Sequence, residues 1–268
     1  FFWHDCPKIY YRLNIMFLCR WNLVRMSVRS AMIEIPDKKN WDMIVFDVDG
    51  TLLDSNGFHD ELVGLVKRLD REVMTVSLAS GRTLPNVTPI MQAIGAKGFI
   101  IAENGGMVWD SLEGHPIRSL SNGRKAREAA EWLATKIQGL DPKGIESNRW
   151  RETEWCLKET EEFDIMKSLL SNSEWSDLEV VPTGFAVHIA KPGINKANGL
   201  EIAFRQRGVD PSRVIACGDA PNDIPMFDFV GYSVAVNDKF PEVVDSADCV
   251  TQQKGLEGAI ELIRALLD

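Results

Sequence analysis

Asp47 and Asp49 stand two residues apart where an apolar run ends, in the stretch WDMIVFDVDGTLLD at positions 41–54. In extended backbone such residues point the same way, so both carboxylates address one point. Acids taken out of water are costly unless something pairs with them. Asp219 and Asp223, in GDAPND, offer a second pair. Four carboxylates brought together without a cation would repel, and some would have to be protonated. Oxygen donors with no His or Cys favour a hard ion, and Mg²⁺ suits a site that keeps waters and accepts a phosphate oxygen. Ser80 can donate to such a phosphate, and the N–H groups after Gly50 and Gly81 can form an anion-binding nest.

These residues need a scaffold that brings them to one edge. From residue 43 the chain alternates short apolar runs with helix-period segments. Strands are expected at Met43–Asp47, Val73–Ser80, Gly98–Glu103, Arg213–Asp219, Tyr232–Val236 and Cys249–Thr251. Near-continuous apolar runs of this kind suit parallel strands covered on both faces. Helices are expected over His59–Asp70, Thr83–Ile94 and Glu257–Leu267. The alternation predicts an α/β fold with a doubly wound, mostly parallel, Rossmann-like sheet. Ligands of such sheets bind beyond the carboxyl ends of the strands. Asp47 and Asp49, Ser80 with Gly81 and Arg82, the Glu103-Asn104-Gly105-Gly106 turn, and Asp219 all fall there.

The middle of the chain breaks the rhythm. Residues 113–190 read as a small inserted α/β cap, between core segments 41–112 and 191–268. A hairpin is expected between Met107–Asp110 and Pro116–Leu120. An amphipathic helix through Ala126, Ala129, Trp132, Leu133 and Ile137 follows. An alternating strand over Ser147–Lys158, a helix near 160–172 and an alternating run over Leu178–Ile189 complete the insert.

Composition narrows the function classes. Apolar residues make up 45% of 268, ample for a core, and the formal charge of −9 disfavours nucleic acid or an anionic membrane as partner. Five scattered cysteines without a CxxC pair fit free thiols in a reducing, cytoplasmic setting. Residues 1–40 differ, with seven Lys/Arg against three Asp/Glu, and are expected to stand outside the fold as an appended segment. Their apolar run is interrupted by Arg12 and Arg20 too soon for a membrane span of about 20 residues. No GxxxxGK[ST] loop or GxGxxG fingerprint occurs.

DVDGT, then SGR, then Lys196 in GINKANGL, then GDAPND, in that order, resembles the haloacid dehalogenase superfamily. An insert between the second and third motifs is similar to its branch with an α/β cap. ENGG, SNRWRET, TGFAVHI and GDAPNDIPMF resemble the archaeal-type phosphoglycolate phosphatases within that branch. The resemblance spans about residues 42–268. Ser80 stands where many relatives carry Thr, and Ala220 where Ser or Gly is usual.

The resemblance implies a Mg²⁺-dependent phosphatase of small phosphate monoesters, with 2-phosphoglycolate foremost. Asp47 would be the nucleophile that forms an aspartyl-phosphate, and Asp49 the acid and base, with its main-chain carbonyl on the metal. Lys196 would neutralise charge on Asp47 and the phosphoryl group. Asp219 would ligate Mg²⁺ directly, Asp223 directly or through water, and Asn222 would orient substrate or Lys196. Arg149 and Arg151 flank Trp150 on one alternating segment, so their guanidinium groups can share a face and read a substrate carboxylate. A surface salt bridge to Glu152 or Glu154 is the competing reading, and His188 reads as packed or structural. A sugar-phosphate phosphatase, a phosphosugar mutase and a non-catalytic receiver-like or ligand-binding protein are the alternatives, with a monomer or homodimer equally open.

Overall fold

The computed structural model describes residues 33, 35–36, 40–111, 118–183 and 186–268, and 33–268 form one compact unit. Six strands align in parallel: β1 (Met43–Phe46), β2 (Thr75–Ala79), β3 (Phe99–Ala102), β9 (Val214–Gly218), β10 (Tyr232–Ala235) and β11 (Cys249–Val250). Two antiparallel strands, β4 (Met107–Asp110) and β5 (Arg118–Ser119), extend one edge, giving the order β11-β10-β9-β1-β2-β3-β4-β5. The expected hairpin therefore belongs to the large sheet.

Strand periodicity explains the layering. Successive side chains point to opposite faces, and in the central strands both faces are apolar. Ile44, Phe46, Val76, Leu78 and Ile215 join one core with α1 (Leu62–Glu72), α2 (Leu84–Ile94) and α8 (Leu256–Leu267). Met43, Val45, Ala216 and Ile101 join the opposite core with α5 (Lys196–Arg207) and α6 (Ile224–Phe229). A short helix, α7 (Pro241–Ser246), leads into β11 and adds Val243 to this second core. The α/β, doubly wound expectation holds because these runs have no polar face to offer water.

A second, three-stranded antiparallel sheet of order β6-β8-β7 comprises β6 (Trp155–Lys158), β7 (Glu179–Pro182) and β8 (Ala186–Ala190). Helices α3 (Gly123–Ala134) and α4 (Phe163–Ser171) pack with it around Leu133, Leu157, Met166, Leu170, Val187 and Ile189. This is the cap.

Three expectations need correction. Ser147–Lys158 is not one strand. Glu146–Trp150 form a 3₁₀ turn and the strand begins at Trp155. Asn148 causes the turn: its Oδ1 accepts from the Cys156 N–H at 3.0 Å and its Nδ2 donates to the Cys156 carbonyl at 2.7 Å, folding the loop back on β6. Leu178–Ile189 is two strands, with Val181 opposite His188. Lastly, the segment set aside at 1–40 contributes to the core, since Ile33 and Ile35 are buried in it and the Trp41 indole N–H reaches the Pro36 carbonyl. Residues 1–32 lie outside the described residues, as does the remainder of that expectation. Among the described residues no helix is long and apolar enough to cross a membrane.

Candidate active site

Parallel pairing brings the motif residues together. Phe46 of β1 is in register with Leu78 of β2 and Cys217 of β9, so Asp47, Ser80 and Asp219 leave the same sheet edge. The Asp47 N–H still donates to the Cys217 carbonyl, at 2.8 Å, so its backbone is fixed as part of the sheet. Lys196 opens α5, where Asn195 and Asn198 form a capping box that sets the helix start. Its fully buried ammonium donates to Asp47 Oδ1 at 2.5 Å and to Asp223 Oδ1 at 2.6 Å. Asp223 Oδ2 accepts from the N–H groups of Asp219 and Ala220, at 2.9 and 3.0 Å. Asp223 is therefore tied to the ammonium and the loop backbone.

Asp219 is different. Its Oδ2 accepts from Asn237 Nδ2 at 3.1 Å, while its Oδ1 is buried with no hydrogen-bond partner among the described residues. Ligand atoms of Asp47, Asp219 and Asp223 lie within 4.8 Å of one another. Three carboxylates thus face one ammonium. Burial pushes the Asp219 carboxyl up to about 6, with Asp223 adding to the effect. Burial likewise holds Asp47 well above the ordinary carboxylate range, opposed by Lys196. For Lys196 burial works against the charge, but Asp223 and Asp47 outweigh it and keep the ammonium protonated. An all-oxygen cluster with excess negative charge and an orphaned carboxylate oxygen fits a hard divalent cation.

Gly50 makes room for this cluster. Its φ is +84°, and a Cβ there would lie 2.8 Å from Asp219 Cγ. Gly50→Ala is expected to lower stability by about 1–2 kcal/mol from the backbone alone, with the collision added. A melting temperature equal to the parent's would show that the loop relaxes freely.

The second carboxylate of the opening motif is engaged elsewhere. Asp49 accepts a two-point contact from Arg82, Nε to Oδ2 at 2.8 Å and Nη2 to Oδ1 at 2.5 Å. Ser80 is buried, and its Oγ accepts from the Arg82 N–H at 3.1 Å, leaving its own hydrogen to donate. Asn222 Nδ2 donates to Asn104 Oδ1 at 3.1 Å.

Glu103 and Asn104 carry no role in the sequence reading, although their turn stands at a strand end. Both hold left-handed backbone, φ +51° and +52°, which non-glycine residues adopt at a cost. Glu103 Oε2 accepts from the Thr153 N–H at 2.8 Å and its hydroxyl at 2.7 Å, and the Glu152 N–H reaches the same carboxylate. A core carboxylate therefore docks the cap. Asn237 and Glu154 were also missed as site residues; a lone polar residue beside a strand carries no distinguishing signal.

The paired-arginine expectation fails. Because Glu146–Trp150 is a turn, Arg149 and Arg151 do not share a strand face. Arg149 is exposed, pairs with Glu146 at 3.1 Å and lies over the Trp150 ring. The Arg151 side chain is buried, pairs with Glu154 and donates from Nη1 to the Gly81 carbonyl at 3.1 Å. The bridge to Glu154 exists, but in the interior. His188 is packed as expected, with Nδ1 at 2.8 Å from Glu154 Oε2 and 3.2 Å from Cys156 Sγ.

A mostly parallel sheet that brings Asp47, Ser80, Lys196, Asp219 and Asp223 to its carboxyl edge defines an open α/β protein with its candidate site where such sheets bind ligands. The chain matches the model of haloacid dehalogenase-like hydrolases over residues 44–138 and 121–263, and it belongs to that family. It is 34% identical over 227 residues to the phosphoglycolate phosphatase of Methanosarcina acetivorans, covering 83% of this chain and 95% of the relative. It is 30% identical over 226 residues to that of Methanothermobacter thermautotrophicus, covering 84% and 98%. Thermoplasma acidophilum 0175 shares the fold with a TM-score of 0.75 at 21% identity, covering 85% of this chain and 99% of that one.

Proposed function

We propose that the protein is a Mg²⁺-dependent phosphatase that hydrolyses 2-phosphoglycolate to glycolate and phosphate through an aspartyl-phosphate on Asp47. The observation that carries the reading is the Asp47–Lys196–Asp223 chain beside the orphaned Asp219 oxygen. The names of the curated relatives support the substrate.

Asp47, Asp219 and the Asp49 main-chain carbonyl would hold Mg²⁺, with Asp223 near enough to act through a water. The ion, when bound, supplies positive charge that offsets repulsion between Asp47 and an incoming phosphate. The other steps belong to the chain's own residues. An Asp47 oxygen attacks phosphorus, and the bond from phosphorus to the ester oxygen breaks. Lys196 favours the ionised form of Asp47 against the effect of burial and balances charge on the moving phosphoryl group. Ser80 donates to a phosphate oxygen, and N–H groups beyond Gly50 and Gly81 line the same side. Asp49 gives its proton to the leaving alkoxide, then takes one from the water that cleaves the aspartyl-phosphate. Arg82 must therefore release an Asp49 oxygen during the cycle.

The reading is tested by kcat/KM over a panel of phosphate monoesters. Activity is expected to disappear with a chelator and return with Mg²⁺, and phosphoglycolate is expected to lead the panel. Metal-independent turnover would contradict the cluster's assignment, and a sugar phosphate in first place would contradict the substrate.

A further inference from the structure

Several arginines reveal how this protein grips a carboxylate. Arg82, Arg207 and Arg213 each present the Nε and Nη2 edge of the guanidinium, to Asp49, Asp110 and Asp42 respectively. Arg151 breaks the pattern. Its Nη1 serves both Glu154 and the Gly81 carbonyl, while its Nε is buried with no partner among the described residues. The side chain is 2% exposed. A buried N–H without an acceptor is rare and calls for a partner.

Glu154 pins the group. Burial works against the charge of Glu154, but His188 and Arg151 outweigh it and hold the carboxyl below its ordinary range, helped by a hydrogen bond from the Asn104 side chain. Asn104 in turn accepts from Asn222 of the last motif. The guanidinium is thus fixed by Glu154, itself held by His188, and by the Gly81 carbonyl of the core. Gly81 directly follows Ser80, which faces the phosphate in the reading above.

We infer that Arg151 is the residue that reads the substrate's carboxylate, through the guanidinium edge that carries the unpartnered Nε, and that Glu154 positions it. This rests on the phosphatase reading and deepens it: the substrate class is a phosphorylated 2-hydroxy acid, whose carboxylate lies one carbon from the ester oxygen. A planar two-oxygen anion matches the fork, and an ammonium cannot reproduce it.

The test compares kcat/KM for 2-phosphoglycolate and for phenyl phosphate, with Mg²⁺ present, in the parent, Arg151→Lys and Arg151→Ala. Arg151→Lys is expected to lose about 10- to 100-fold on phosphoglycolate, the scale of a lost charge-assisted contact, mainly in KM. On phenyl phosphate the loss should stay under about threefold, which also certifies folding. Glu154→Gln should raise KM for phosphoglycolate and leave kcat in place. Equal losses on both esters, or full phosphoglycolate activity in Arg151→Lys, overturns the inference. A parent that hydrolyses phenyl phosphate but not phosphoglycolate overturns it together with the proposed substrate, while phosphatase activity itself stands; hydrolysis of neither ester overturns the activity as well.

Discussion

Asp47→Asn is expected to abolish turnover, by a factor on the order of 10⁴ or more, as removal of a nucleophile does elsewhere, while the chain stays folded. The amide keeps the shape of the carboxylate but cannot form the acyl phosphate. Its effect on stability has a sign that can be worked out. Burial raises the folded-state pKa of Asp47 above its unfolded value. The folded protein therefore holds the proton over a window running upward from the ordinary carboxylate range. Stability falls as pH rises through that window, and at neutral pH the ionised, metal-free form is penalised. Asparagine removes the charge, so in chelator Asp47→Asn should melt no lower than the parent near pH 7. Adding Mg²⁺ should raise the parent's melting temperature more than the variant's, because the variant has lost one of the carboxylates in the cluster. Single-turnover assays and thermal melts with and without Mg²⁺ measure both effects. Retained, Mg²⁺-dependent activity in Asp47→Asn would sink the mechanism.

Lys196→Met carries the second large effect, on stability as well as rate. The ammonium is fully buried between Asp47 and Asp223. Removing one partner of a buried ion pair leaves uncompensated charge and costs about 3–5 kcal/mol. The methionine side chain fills similar space, so the loss reports electrostatics more than a cavity. Urea denaturation in chelator should show it. Part of the loss should be recovered by Mg²⁺, since the cation offers the stranded carboxylates another positive charge. Turnover should stay low even then, because the proposed stabilisation of the phosphoryl group needs the ammonium in place. A variant as stable as the parent in chelator would mean that Asp47 and Asp223 do not both ionise in the folded state.

The large sheet was legible because its signal is local. Runs such as Met43–Phe46 and Val214–Gly218 have apolar residues on both faces, and each is followed directly by an acid of the cluster, Asp47 or Asp219. Lys196 was legible through motif order and its helix start, although its contacts span 149 and 27 residues of sequence. The cap was read less well. A period-2 pattern over Ser147–Lys158 looked like a strand, but Asn148 satisfies the backbone of Cys156 and turns the chain. That one side chain separates the fates of Arg149 and Arg151. Glu103 was invisible as a docking residue because its partners, Glu152 and Thr153, lie about fifty positions away.

By itself the amino-acid sequence determined which residue types reach the carboxyl edge of a parallel sheet, and in what order along the chain. Apolar runs buried on both faces permit that sheet and few others. Tertiary structure decided how the charges are shared out. It set Lys196 between two carboxylates, filled the fork of Arg82 with Asp49, and left an Asp219 oxygen and the Nε of Arg151 without partners among the described residues. Charge pairing is long-range and depends on burial, and neither property is written in the spacing of a motif.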